Sequence, residues 1–227
     1  MKTLFRFGLL LACVVGCASA PAGELKSLRG FSLTYPDGWL AASSDQRDAL
    51  TKELKPWLDK VGKLDLSRLA AVIVHPQDDG FVESVNVIVA PGAPKADAEG
   101  QQKYREGLVS QFSQVGLAVQ NVEVEQATIG GTPALAAHWN VTVPGEKEPV
   151  RQWQVVIPGR SQTYIATCSA RASEFSQYEP AFRQTIESLK IDAGPGGLWY
   201  SLPGPLRFAI VGGLVGLLVG VFRAIFG

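Results

Sequence analysis

Two of the side-chain types that most often carry out catalysis or bind metals are scarce in this chain of 227 residues, which has three cysteines and two histidines. Three cysteines cannot form a framework of paired disulfides, and two histidines cannot fill a typical His-rich metal site. Asp78–Gly80 could begin a cation-binding loop, but no further oxygen ligands follow at the spacing of a calcium loop. A turn is the favoured interpretation of this segment. We therefore expect neither a metal nor a cofactor.

Three further side chains could act as a base or a nucleophile. His75 ends an apolar run and His138 lies inside another, and either imidazole could be a general base. A strand-end or surface histidine is the commoner reason for such positions. Cys168 has no base near it in the sequence, which favours a buried, inert thiol. No Gly-x-Ser-x-Gly, Cys-x-x-Cys, phosphate loop or dinucleotide fingerprint is present, so the sequence predicts no catalytic residues and a non-enzymatic protein.

Cys17 is the side chain whose setting predicts a specific chemistry, the attachment of a lipid. Two basic residues among the first six precede an apolar run over residues 7–15, in the manner of a secretory signal. The run is too short to span a bilayer, which takes ~20 apolar residues. It ends in Val14–Cys17, which resembles the bacterial lipobox, where the cysteine sulfur receives a lipid before cleavage on its N-terminal side. We predict a lipoprotein signal peptide over residues 1–16 and a palmitate-type anchor on Cys17 in the bacterial envelope, with the domain on the periplasmic side.

Alternatives to this processing stay open. Leu10–Cys13 also matches a lipobox but leaves a very short apolar core. Ordinary cleavage after Ala18–Ala20 would place Pro21 directly after the cut, which is a poor position for that peptidase. The choice between inner and outer membrane is also open. The residue after Cys17 is Ala18 and not the Asp that commonly marks inner-membrane retention, which favours the outer membrane, whereas an apolar C-terminal span favours the inner membrane.

A second apolar segment lies at the C-terminal end. Residues 193–205 are rich in Gly and Pro and predict a flexible linker. Every residue from Phe208 to Phe222 is apolar or glycine. As a helix, Leu206–Phe226 would be about 31 Å long, which matches a hydrocarbon core of ~30 Å if Arg223 extends to the headgroups. The sequence thus predicts a transmembrane hydrophobic helix over residues 206–227.

Three glycines inside this segment are spaced by four residues, namely Gly212, Gly216 and Gly220. Residues four apart lie on one face of a helix, and a stripe of small residues lets a second helix approach closely in lipid. We predict a glycine-zipper packing face that brings several copies, or a partner helix, together. Two alternatives stay open: a permissive anchor whose glycines pack on nothing, and a buried hairpin of a soluble core.

Residues 24–192 predict one domain that follows a short linker over residues 17–23. Three stretches carry apolar residues at helical spacing. The stripes are Leu50, Leu54, Trp57, Leu58 and Val61; Tyr104, Leu108, Phe112 and Val115; and Phe175, Tyr178, Phe182, Ile186 and Leu189. Pro56 predicts a kink in the first helix, and Pro180 predicts the start of the third.

Runs of alternating apolar residues predict strands between these helices. Three turn signals, Gly130–Gly131, Pro144–Gly145 and Pro158–Gly159, each separate two such runs. They predict a meander of four antiparallel strands and an element order β-β-α-β-β-α-β-β-β-β-α, which is an α+β fold. Period-two runs, such as Gln152 and Gln154 between apolar neighbours, suit a sheet with one buried face.

Two segments carry a resemblance to a known fold. Phe31–Trp39 resembles the opening strand and turn of the PsbP-like (Mog1/PsbP/DcrB) families, and Tyr164–Ala170 with the stripe after it is similar to their last strand and closing helix. The resemblance implies an antiparallel sheet sandwiched by helices. It also implies a binding or assembly role, since family members include photosystem accessory proteins, a Ran-binding protein and bacterial lipoproteins. The C-terminal apolar segment departs from the common family pattern.

Two functional hypotheses follow. The first is a membrane-anchored envelope lipoprotein that acts as a non-enzymatic binding or assembly module. The second is a small-ligand carrier or hydrolase, which would need convergent polar residues between the sheet and a helix, together with a perturbed His75 or His138. Nucleic acid is excluded as a partner, because 21 basic residues are balanced by 21 acidic ones.

Overall fold

The computed structural model describes residues 23–61, 66–76, 82–92, 97–114, 116–143, 147–159 and 162–191, which form an α+β domain. The helices are α1 (Ser44–Val61), α2 (Ala98–Gln114) and α3 (Phe175–Glu187), with a 3-10 turn at Leu66–Arg68. The strands are β1 (Gly23–Ser27), β2 (Phe31–Tyr35), β3 (Leu40–Ala41), β4 (Leu69–Val74), β5 (Ser84–Pro91), β6 (Ala118–Ile129), β7 (Thr132–Thr142), β8 (Val150–Pro158), β9 (Gln162–Arg171) and β10 (Lys190–Ile191).

Several predictions from the sequence fall outside these residues. They are the signal peptide, the lipid site at Cys17, the loop at Asp78–Gly80, the linker over residues 193–205 and the segment 206–227 with Gly212, Gly216 and Gly220. Within the described ranges, none of the helices combines the length and the apolar character needed to cross a membrane.

Seven strands form one antiparallel sheet in the order β3-β4-β5-β9-β8-β7-β6. The pairs β6–β7, β7–β8 and β8–β9 are all antiparallel, so the predicted four-strand meander is confirmed. A second sheet of three strands, in the order β1-β2-β10, is not hydrogen-bonded to the large one. The sequence patterns did not predict this small sheet.

The large sheet is covered on both faces. On one side, which we call the α2 face, Leu50 of α1 and Leu108 of α2 pack against strand residues in one apolar cluster. On the other side, the α3 face, Phe182 of α3 and Leu33 of β2 pack against strand residues in a second cluster. The predicted sandwich of a sheet between helices is therefore confirmed.

The prediction of a sheet with one buried face is wrong for the central strands. Residues 152–157 of β8 and 163–170 of β9 are buried without a break. Helices lie over both sides of these strands, so the polar members of the period-two runs cannot face water. Gln152 and Gln154 are consequently fully buried on the α2 face.

The predicted start of the third helix is also wrong. Helix α3 begins at Phe175, and Pro180 lies inside it. Proline removes one helix hydrogen bond. Burial of Phe175 and Phe182 on the α3 face outweighs that loss, because each aromatic side chain removes a large apolar area from water. Helix α1 runs through Pro56, and the kink there stays a prediction.

Candidate functional site

One part of the α3 face is left partly open to solvent. Along β7, Ala134 and Ala136 are buried on this face, whereas His138 and Asn140 further along are only half-buried. Helix α3 has 13 residues and is about 20 Å long, too short to cover the whole sheet. We call this partly open region, together with the buried Trp153 beneath it, the His138 surface. It comprises Glu123, Glu125, His138, Asn140, Arg151, Trp153, Glu179 and Arg183.

Strand register sets the floor of the His138 surface. Glu123 of β6 lies opposite His138 of β7, which in turn lies opposite Trp153 of β8. The imidazole and indole rings are parallel, with centroids 5.8 Å apart and an interplanar angle of 1°. His138 Nδ1 and Trp153 Nε1 are both buried, and neither has a hydrogen-bond partner within the described part of the chain. Buried nitrogens without a partner are costly, but because both atoms are shielded from solvent they cannot contact a docked partner, and the partly exposed His138 and the charged side chains around it are the groups that can.

Two arginines frame this floor, and each lies over an aromatic ring. The guanidinium of Arg183 is 5.3 Å from the Trp153 ring centroid, and that of Arg151 is 5.1 Å from the Phe175 centroid. Arg183 also pairs with Glu179 one turn earlier, at 2.7 Å. An arginine stacked on a ring can still donate hydrogen bonds from its edge, as Arg183 does to Glu179, and arginine is enriched in interaction surfaces.

The environment of His138 favours the neutral form of its imidazole. Burial lowers the pKa of His138 from its ordinary value, and Arg151 lowers the pKa further. The carboxylates of Glu125, Glu123 and Glu179 oppose this by raising the pKa, but the net direction is downward. At neutral pH the surface therefore presents an uncharged imidazole between acidic side chains and two guanidinium groups.

A backbone irregularity borders the same surface. The pairing of β6 with β7 shifts register between Gln120 and Glu123, which marks a β-bulge. Asn121 in the bulge has a φ of 54°, which is uncommon for a residue other than glycine. Bulges end regular pairing and redirect side chains, and they are frequent beside functional sites. Here the bulge lies next to Glu123 and His138.

His75 belongs to a different environment. Its ring lies 5.4 Å from those of Trp39 and Tyr178, and burial lowers its pKa. It follows the end of β4, as the strand-end interpretation predicted. Three strands separate β4 from β7, which places His75 roughly 19 Å from His138 at ~4.8 Å per strand. The two histidines therefore do not form a joint site.

Two neighbouring carboxyls lie at the start of α3, one buried (Glu83) and one partly exposed (Glu174). Glu83 is opposite His75 in the sheet and has no exposed surface. Burial raises the pKa of Glu83 to about 7, and the neighbouring Glu174 raises that pKa as well, while the Glu83 backbone amide and Arg171 lower it. Arg171 pairs with Glu174 at 3.6 Å. The cluster holds a proton at the base of α3 under conditions where an ordinary glutamate is ionised.

The sequence patterns missed a network of polar side chains on the α2 face. Tyr104 of α2 donates a hydrogen bond to Gln154, whose amide donates in turn to Thr167 at 2.7 Å. Gln152 donates to Ser169 at 2.8 Å. The second functional hypothesis needs convergent polar groups beside a perturbed histidine, but this network lies on the opposite side of the sheet from His75 and His138.

The remaining candidate, Cys168, is confirmed as a buried free thiol. Burial raises the pKa of Cys168 well above its ordinary value, which suppresses the reactive thiolate. Within the described ranges, no group of three His, Cys, Asp or Glu side chains is arranged to hold a metal ion.

No protein-family model and no curated protein matches this sequence. The cyanobacterial PsbP protein CyanoP from Synechocystis sp. PCC 6803 has a similar structure, with a TM-score of 0.52 and 14% identity over 78% of this chain and 95% of that one. Weaker likenesses are LpqN from Mycobacterium tuberculosis, described as involved in cell envelope biogenesis (TM-score 0.43, 18% identity, 77% and 87% covered), and a protein from Bacteroides thetaiotaomicron VPI-5482 (TM-score 0.44, 10% identity, 76% and 49% covered). The similarity to CyanoP shows that the described domain has a PsbP-like α+β fold.

Proposed function

We propose that this chain is a bacterial envelope lipoprotein whose α+β domain acts as a non-enzymatic binding or assembly module. A lipid on Cys17 and the apolar segment 206–227 hold the domain at a membrane, on its periplasmic side. The His138 surface is the region that contacts the partner. The observation that carries the proposal is that the first and last strands of the domain, β1 and β10, belong to the same small sheet.

Both ends of the domain belong to the same small sheet. Strands β1 and β10 pair with opposite edges of β2, where Gly23 lies opposite Tyr35 and Ile191 lies opposite Phe31. Four residue steps along β2 and two strand spacings across it separate these ends by roughly 17 Å. Two anchors attached to the ends can therefore enter one bilayer surface without distorting the fold.

Two anchors also match the energetics of membrane binding. Stable attachment takes more than one membrane-inserted group, because a single acyl chain of myristoyl length binds only marginally and reversibly. The segment 206–227 adds such a group to the lipid on Cys17. Its glycine face, formed by Gly212, Gly216 and Gly220, would bring copies or a partner helix together.

The first test is removal of the lipid-bearing sulfur. Cys17→Ser should abolish incorporation of a palmitate analogue during growth, because a thioether and the subsequent cleavage both require the cysteine. Cys13→Ser is the matched control and should keep the label. Label that persists in Cys17→Ser, or an unlabelled wild-type chain, would contradict the lipoprotein assignment; label lost only in Cys13→Ser would move the site to the competing motif.

The second test concerns the His138 surface. We expect the combined change Arg151→Glu and Arg183→Glu to reduce the recovery of partners from native membranes at least about tenfold, because reversing charges that pair across an interface costs more than ~1.4 kcal/mol. Full-length tagged chains would be solubilised and the co-purified proteins quantified. The matched control is Arg105→Glu on the exposed side of α2. Equal recovery with all variants would show that partners bind elsewhere.

A further inference from the structure

We propose that the outer face of the three-stranded sheet rests on the membrane surface, with Lys26 and Lys190 at anionic phospholipid headgroups and Leu28 inserted into the interface. This inference rests on the proposed function, since it assumes the lipid on Cys17. It adds an orientation of the domain and a second set of lipid contacts that involve folded residues.

The first supporting observation is the tip of the β1–β2 hairpin. Leu28 is fully exposed there, more than any other large apolar residue in the described ranges. The turn is fixed, because the Gly30 amide donates to the Ser27 carbonyl at 3.1 Å and Gly30 has a φ of 79°. An outward-facing leucine in a fixed turn does not stabilise the fold. Its transfer from water into a membrane interface is favourable, because that transfer removes apolar surface from water.

The second observation is the placement of charge on the same sheet. Lys26 of β1 and Lys190 of β10 both lie opposite Ser32 of β2, and both are exposed. Their apolar neighbours Leu25 and Ile191 pack inward against the α3-face cluster. Because side chains alternate along a strand, the two lysines project outward side by side.

The net charge of this face stays positive when Arg29 and Glu24 are counted with the two lysines. Arg29 follows Leu28 at the hairpin tip and donates to the carbonyl of Ser67. Glu24 is the acidic residue of β1, and its ion pair with Lys26, at 3.5 Å, joins two exposed side chains. Exposed pairs of this kind are weak and exchange readily. The face can therefore bind anionic headgroups electrostatically.

The third observation is the reach of the chain. Six residue steps connect Cys17 to Gly23, and an extended chain covers at most ~3.6 Å per residue, or roughly 20 Å in total. A lipid on Cys17 therefore keeps β1 beside the bilayer. The chain also leaves β10 at Ile191, opposite Phe31 and close to the hairpin tip, so both tethers bring the same sheet to the membrane.

Cysteine labelling can test this orientation in the full-length chain. Signal cleavage removes Cys13, the lipid occupies Cys17 and Cys168 is buried, so Leu28→Cys would supply a single accessible thiol for an environment-sensitive fluorophore. In vesicles of phosphatidylcholine and phosphatidylglycerol, we expect a blue-shifted emission that a quencher in the acyl chains suppresses. Val109→Cys, exposed on α2, is the matched control, and its fluorophore should show the unshifted emission of a water-exposed label.

The role of charge is tested with Lys26→Glu and Lys190→Glu in the Leu28→Cys background. We expect loss of the extra blue shift that phosphatidylglycerol causes relative to vesicles of phosphatidylcholine alone, whereas Lys103→Glu on α2 should leave it intact. This inference would be overturned if the chain is lipidated and bound to vesicles but the label at position 28 shows the same unshifted emission as the label at position 109. The proposed function would then still stand. An unlipidated chain would overturn both.

Discussion

Phe182→Ala should lower the free energy of unfolding by about 3–5 kcal/mol, the range for removal of a buried phenylalanine. Phe182 is fully buried on the α3 face, and its ring centroid lies 5.4 Å from that of Phe175, 5.8 Å from Trp39 and 6.4 Å from Tyr178. Truncation removes apolar burial and three aromatic contacts at once and leaves a cavity between α3 and the sheet.

Denaturant unfolding of the full-length chain in detergent would measure the change. Gln184→Ala, two residues further along the same helix and exposed, is the matched control and should stay within ~0.5 kcal/mol of wild type. A loss below about 1 kcal/mol for Phe182→Ala would show that α3 is not fixed by this aromatic cluster.

The packing of α3 also bears on the His138 surface. The helix carries Glu179 and Arg183, and the Arg183 guanidinium reaches the Trp153 ring from it. Phe182, on the same helix, is fully buried in the α3-face cluster. A chain in which α3 is loosened should therefore lose the geometry of the surface before it loses the central strands, because the strands are held by their own hydrogen-bonded ladders.

Much of the fold was predictable because its signals are local. Apolar residues at helical spacing lie on the buried sides of all three helices, for example Leu50, Leu108 and Ile186. The three glycine- and proline-containing turns each join antiparallel neighbours. The small sheet was not predictable in the same way. Strand β10 has only two residues, and its pairing with β2 joins positions more than 150 residues apart.

The buried glutamines show a limit of period-two patterns. Gln152 and Gln154 alternate with apolar residues, which is also the pattern of a strand with one face in water. Alternation reports which residues share a face and says nothing about what covers that face. The cover here comes from α2, whose Tyr104 hydroxyl donates to Gln154. Only tertiary structure reveals that partner.

The candidate site was predictable in part. His138 stood out by residue type, yet the groups that define its environment come from β6, β8 and α3. Their meeting depends on strand register and on the docking of a helix that follows His138 by nearly forty residues. Register in turn depends on the bulge at Asn121, which leaves no clear mark in the sequence.

The pH dependence of folding stability should be dominated by the proton held by Glu83. Burial first, and then the nearby Glu174 carboxylate, raises the pKa of Glu83 to about 7 in the folded chain, against an ordinary value of 4.5. Between these two values the folded state binds a proton that the unfolded state has lost. Stability from this group is therefore fully present below pH 4.5 and is lost as the pH rises through 7.

Glu83→Gln should remove this loss, because the amide is neutral at every pH and resembles the protonated acid in shape. Each pKa unit corresponds to ~1.4 kcal/mol, so the wild-type chain should lose about 2–3 kcal/mol relative to Glu83→Gln between pH 5 and pH 8. Burial lowers the pKa of both His75 and His138, which makes stability rise with pH below about 6.5. Both chains carry these histidines, so the difference between them isolates Glu83.

Unfolding by denaturant at a series of pH values would measure the two profiles. Glu148→Gln is the matched control, since a hydrogen bond from Ser173 lowers the pKa of Glu148 and its contribution is lost only as the pH falls below about 4.5. Its profile should therefore parallel wild type from pH 5 to pH 8. Parallel profiles for wild type and Glu83→Gln would mean that Glu83 is ionised in the folded chain. Arg171 would then outweigh both burial and the repulsion from Glu174.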